Sequence, residues 1–134
     1  SESPAFKAAS QSMVRSARQS EREAPVAVRV RRELLMRIGR ESFEQTAIAT
    51  ALGMSRRTLR RKLEEEGQKF SRLLAGCRME IAKRMLLAPG AQLHEISERL
   101  GYSEVSAFER AFRQREGATP SQYRKQASAC GSGG

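Results

Sequence analysis

The sequence predicts an all-α fold of about seven helices, arranged as two helix-turn-helix subdomains joined by one long connecting helix. Three observations predict it. Apolar residues recur at three- and four-residue intervals over most of the chain after Pro25, the spacing that builds one face of an α-helix. No segment of strand length alternates apolar and polar residues with β-branched enrichment. Finally, Ile48-Ala49 followed by Leu52-Gly53-Met54-Ser55 returns as Ile96-Ser97 followed by Leu100-Gly101-Tyr102-Ser103, an internal repeat at an offset of 48 residues.

Residues 1–24 are rich in Ser, Ala and charge, the composition of a linker. Val26, Val30, Leu34 and Ile38, with Leu35 beside them, line a first helix that Gly39 can end. Ser42, with Gln45 three residues later, reads as a capping box opening a second helix whose inner face is Ile48 and Leu52. Leu59 and Leu63 anchor a third helix that stops at Gly67. Phe70, Leu73, Leu74, Cys77, Ile81, Met85 and Leu86 then form one stripe. This is the connecting helix, about 27 Å long at 1.5 Å per residue, closed by Pro89-Gly90. A fifth helix carries Ile96 and Leu100; a sixth carries Phe108 and Phe112 and stops at Gly117. Those phenylalanines lie 49 residues beyond Leu59 and Leu63, so the second copy has gained one residue at the turn or the helix start. Thr119-Pro120-Ser121-Gln122 supplies an N-cap, a proline at the first helical position and a capping-box glutamine for a short seventh helix through Tyr123 and Arg124. The expected organisation is a first subdomain at 25–68, the connecting helix at 69–88, a second subdomain at 89–125 and a flexible tail at 126–134.

Composition narrows the function. The 134 residues carry 25 Lys and Arg against 15 Asp and Glu, a formal charge of +10, which points to a polyanionic partner. No apolar run approaches the roughly 20 residues of a membrane span, and no signal peptide is visible, so a cytoplasmic, nucleoid-associated setting without a membrane partner is expected. A first residue of Ser1 suggests a fragment of a longer protein. Cys77 and Cys130 are too far apart for a zinc site or a compact disulfide framework, and His94, the one histidine, reads as a surface residue. With no phosphate-binding glycine loop, triad or metal cluster, the expectation is a non-enzyme with no cofactor and no metal.

A helix ending in Leu-Gly-x-Ser and running straight into another is what a helix-turn-helix needs. Glycine permits the turn, Met54 or Tyr102 plugs the angle, and the serine caps the second helix. At 100° per residue, with the core between Leu59 and Leu63, Arg57 and Arg61 fall opposite the core. Arg60 lies on a flank, and Arg56 and Lys62 sit near the packing boundary. Glu64, Glu65 and Glu66 cluster at the C-terminal end, which leaves the first turns basic. Such a helix suits a DNA major groove, where arginine binds guanine O6 and N7 bidentately. Arg57, Arg60 and Arg61 are therefore the base-reading candidates, and Arg56 and Lys62 the phosphate contacts. About Phe108 and Phe112 the same construction turns Ser106, Arg110 and Arg113 outward, with Glu109 on the flank and Val105 near the boundary. Ser106 and Arg110 are candidates to read bases, Val105 to meet a thymine methyl and Arg113 to hold a phosphate; Glu109 either accepts from cytosine N4 or, the preferred reading, pairs with Arg113.

ALGMSRRTLRRKL, CRMEIAKRML and EISERLGYSEVSAFERAFRQREGATPSQYR together resemble the C-terminal DNA-binding domain of AraC/XylS-type bacterial transcription regulators over roughly Val26 to Arg124. The resemblance implies two recognition helices in successive major-groove segments of one double-stranded DNA face. It places base contacts on Arg57, Arg60 and Arg61 and on Val105, Ser106, Glu109 and Arg110. Arg57 stands where some members carry an aromatic residue, and Gln92 replaces the usual Ser or Thr, which implies a weaker cap. Many members also carry an N-terminal effector-binding or dimerisation domain. The chain by itself is thus expected to be monomeric, and any dimerisation would belong to the longer protein.

Two units on one chain imply a non-palindromic site, and units held closer than one helical turn would require bent DNA. The alternative is a basic helical module that binds RNA or RNA polymerase. Against RNA, aromatic residues make up only 5% of the chain and no stacking platform is visible.

Overall fold

The computed structural model describes residues 24–132. Among them lie seven helices and no strand: α1 (Val26–Arg37), α2 (Gln45–Ala51), α3 (Arg56–Glu65), α4 (Phe70–Leu86), α5 (Leu93–Arg99), α6 (Val105–Glu116) and α7 (Pro120–Ser132). The linker expected at 1–24 falls almost wholly outside the described residues.

One continuous core runs through both halves, from Val30, Leu34, Ile48, Leu59 and Leu63 through Cys77, Ala82 and Leu86 to Ile96, Leu100, Phe108 and Phe112. The connecting helix α4 packs against α1 on one side and against α5 and α7 on the other. Its stripe is buried at Cys77, Met79, Ile81, Ala82 and Leu86 because it serves both halves at once. Burial pushes the Cys77 thiol pKa up, which makes it a packing residue and a poor nucleophile.

Three helix ends depart from the sequence reading. Ser42 does not cap α2, which starts at Gln45 with Glu44 in the cap position and no side-chain cap bond. Arg37 Nη1 instead donates to the Ser42 carbonyl at 3.1 Å. Residues 42–44 stay non-helical, and the half-buried Phe43 packs against the core. Ser103 does not cap α6 either. The extra residue of the second copy is Glu104, which takes the cap position without a side-chain cap bond, while its carbonyl accepts from the buried Ser97 hydroxyl at 3.2 Å. Lastly, α7 continues to Ser132, past the point where a flexible tail was expected. Lys125-Gln126-Ala127 and Ala129 are good helix formers, so the sequence offers no stop signal there.

Other ends form as read. Thr119 and Gln122 make the reciprocal capping box, with Gln122 N–H donating to Thr119 Oγ1 at 3.2 Å and Thr119 N–H to Gln122 Oε1 at 2.9 Å. Gln92 makes no side-chain cap bond, in line with the weaker cap expected there.

Two long-range caps were not legible in the sequence. The Glu66 carboxylate, just past α3, accepts from Val26 N–H at 2.7 Å and Ala27 N–H at 2.8 Å, satisfying the first free amides of α1. Arg124 of α7 donates to the carbonyls of Leu86 (2.8 Å) and Ala91 (2.7 Å), closing the C-terminal end of α4. Glu66→Ala should therefore cost about 1 to 2 kcal/mol of stability, the range of a lost N-terminal cap, measured by urea denaturation. A change below about 0.3 kcal/mol would show that water replaces the carboxylate without loss.

Candidate nucleic-acid interface

The two turns are built alike. In the first, Gly53 adopts a φ of 74° and Met54 N–H donates to the Ala49 carbonyl at 3.0 Å. In the second, Gly101 adopts a φ of 87° and Tyr102 N–H donates to the Ser97 carbonyl at 3.0 Å. Positive φ is the conformation that makes glycine necessary at this corner. Met54 and Tyr102 are both half-buried against the core, as plugs of the angle should be.

Ser55 caps α3, its hydroxyl accepting from Thr58 N–H at 3.1 Å. Leu59 and Leu63 then pin the helix, both fully buried. Helical periodicity does the rest: Arg57, Arg60 and Arg61 are exposed and Lys62 is half-buried. Arg56, expected near the boundary, is exposed, because it occupies the first helical position, about two turns ahead of the packing by Leu63. Two intrahelical ion pairs form, Arg60 with Glu64 at 3.3 Å and Arg61 with Glu65 at 3.8 Å. Arg56 and Arg57 have no ion pair among the described residues. An open groove of about 760 Å³ between α3 and the start of α4 is lined by Arg56, Arg57, Arg60 and Lys69 among others. Lys69 thus joins this basic wall; lying outside the repeated unit, it carried no signal in the sequence.

On α6, Phe108 and Phe112 are fully buried. Ser106, Arg110 and Arg113 are exposed, while Val105 and Glu109 are half-buried. The Ser106 hydroxyl donates to the Glu104 carboxylate at 3.2 Å. The Glu109–Arg113 pair preferred from the sequence does not form among the described residues. Both side chains instead line a shallow depression of about 480 Å³ with Arg110, Gln114 and Thr119. Among the described residues the Glu109 carboxylate makes no ion pair.

All ten candidate residues therefore sit on α3 or α6, and none is fully buried. His94 is exposed on α5. Among the described residues no group of three or more His, Cys, Asp or Glu is placed to hold a metal ion, and no helix is long and apolar enough to cross a membrane. Chemically, α3 offers four guanidinium groups and one ammonium, whereas α6 offers a mixed donor and acceptor surface.

Residues 48–126 match the helix-turn-helix domain family. The HTH-type transcriptional regulator VirS of Mycobacterium tuberculosis is 46% identical over 78 residues, which are 58% of this chain and 23% of VirS. The transcriptional activator NphR of a Rhodococcus species is 35% identical over 104 residues, 78% of this chain and 31% of NphR. Among solved structures, a DNA-binding transcriptional dual regulator from Escherichia coli K-12 superposes with a TM-score of 0.71 at 31% identity, covering 80% of this chain and 96% of that one. This chain spans a third or less of the length of such curated relatives.

Proposed function

The chain belongs to the AraC-type family of helix-turn-helix transcription regulators, a sequence-specific DNA-binding family, and from that premise we propose that α3 and α6 enter successive major-groove segments of one non-palindromic duplex site. The observation that carries this reading is the repeated turn. Two copies of the same glycine corner each project a helix with its apolar side locked in one shared core and its polar side free.

The assignments follow from chemistry and exposure. Arg57, Arg60 and Arg61 read bases from α3, with guanine O6 and N7 as the natural acceptors. Ser106 and Arg110 read from α6, Val105 packs on a thymine methyl, and Glu109, without an ion pair among the described residues, accepts from cytosine N4. Arg56, Lys62 and Arg113 hold phosphates, with Lys69 alongside them. The first unit supplies most of the electrostatic affinity and the second adds discrimination. In the longer protein, working in the cytoplasm, contact with RNA polymerase and dimerisation through a further domain complete the regulator.

Selection of bound duplexes from random DNA, followed by footprinting, tests the proposal. The expected product is two dissimilar blocks whose centres lie about 10 to 10.5 bp apart. A palindrome, a single block, or stronger competition by structured RNA than by duplex DNA would overturn it.

A further inference from the structure

We propose that Arg78, on the connecting helix, is the positioning residue that holds the two helix-turn-helix units in one mutual pose, so that α3 and α6 act at one fixed spacing. The proposal rests on the reading that both units engage the same duplex. Two glycine corners lie where the units meet. A Cβ added at Gly101, in the turn of the second unit, would lie 2.9 Å from Phe43 Cζ, in the loop before α2 of the first. A Cβ at Gly39, at the end of α1, would lie 2.9 Å from Met85 Cε and 3.9 Å from Arg99 Cβ of α5.

Arg78 sits inside this junction. Its guanidinium carbon lies 5.6 Å from the centroid of the Phe43 ring and 4.9 Å from that of Tyr102. Both distances are within cation–π range. Its Nη2 would be 3.4 Å from the Gly101 Cβ. Its Nε is buried with no hydrogen-bond partner among the described residues. A buried guanidinium nitrogen without an acceptor is uncommon, since buried polar groups are nearly always paired. Aromatic faces, one from each unit, therefore do much of the holding.

Those two rings are not equivalent bystanders. Phe43 is the residue that the non-helical stretch before α2 presents to the core. Tyr102 plugs the second corner and contacts Phe108 of α6, with ring centroids 5.6 Å apart. A continuous path thus runs from the loop of the first unit through Phe43, Arg78 and Tyr102 to the core side of α6. Lysine is a poor replacement for the central member, because its compact ammonium lacks the planar, delocalised guanidinium that can serve two rings at once.

Binding of Arg78→Met and Arg78→Lys is compared with wild type on the selected duplex, on duplexes with either block scrambled, and on one with 2 bp inserted between blocks. Both variants should bind the selected duplex about tenfold more weakly, within the range of mutations that modulate coupling, yet bind each single-block duplex as wild type does. They should also lose most of the wild-type penalty for the insertion. Equal weakening on every duplex would mean that Arg78 only stabilises the fold, and no weakening would mean that it is dispensable; either overturns the proposal. Should wild type itself show no preference for two blocks, the two-block reading fails, and pulsed electron resonance still decides the clasp. With spin labels at Thr46→Cys and Glu98→Cys in a Cys130→Ser background, the distance distribution of the free chain should broaden in Arg78→Met. An unchanged width would overturn it.

Discussion

Phe112→Ala should lower the free energy of unfolding by about 3 to 5 kcal/mol, the range for emptying a buried phenylalanine site. Phe112 is fully buried. It also stands at the middle of an aromatic stack, its ring centroid 5.9 Å from Phe108 and 5.7 Å from Tyr123, both in edge-on arrangement. Each such pair contributes about 0.5 to 1.5 kcal/mol beyond its buried area, so truncation removes two pairwise terms along with the packing. A domain of this size holds roughly 0.05 to 0.15 kcal/mol of stability per residue, so the loss consumes a large share of the total. Denaturant titration should show a lower midpoint at unchanged slope. Phe112→Leu, which keeps most of the volume, should cost much less. A loss below about 1 kcal/mol for Phe112→Ala would mean that the second unit collapses around the gap and that the stack does not organise it.

Local features were legible because each is written within one or two helical turns. The four-residue spacing of Val26, Val30, Leu34 and Ile38 gave α1 its buried face, and all four are buried. Gly53 and Gly101 marked the corners, and Thr119 with Gln122 marked the start of α7. Exposure of the outward candidates was also legible, since it needs only the position of two core anchors and 100° per residue; Arg56, at the helix start, was the exception. What escaped lies between residues far apart in the chain. Glu66 looked like the third member of a solvated acidic run, yet it caps a helix 40 residues upstream. Arg78 lies off the apolar stripe of the connecting helix, and no periodicity announces that Phe43 and Tyr102 will flank it. The Ser42 cap failed for the same kind of reason. A local motif lost to the tertiary packing of Phe43 and to the grip of Arg37 on the Ser42 carbonyl.

Arg61→Ala should weaken binding to the preferred duplex by about 1 to 3 kcal/mol and relax preference at one base position, whereas Lys62→Ala should weaken all sequences alike and lower the salt slope by about one. The competing interpretation is that Arg61 belongs to a solvated face, because its guanidinium pairs with Glu65 at 3.8 Å. Magnitudes decide between them. Both partners of that pair are about two-thirds exposed, at 64% and 65%. An exposed i,i+4 pair is worth only about 0.3 to 0.5 kcal/mol, so a bidentate contact with guanine, worth about 1 to 3 kcal/mol, would displace it. The geometry of the helix supplies the rest of the argument. Arg61 lies opposite Leu59 and Leu63, whose burial fixes the rotation of α3, so its side chain cannot retreat into the protein. Lys62 is half-buried beside the core, and the role expected of it is a phosphate contact, which carries no sequence information. Binding isotherms on the preferred duplex and on its single-base variants, each repeated at several salt concentrations, separate the two roles. A uniform loss across all sequences for Arg61→Ala would move Arg61 to the phosphate set and leave Arg57 and Arg60 as the readers on α3.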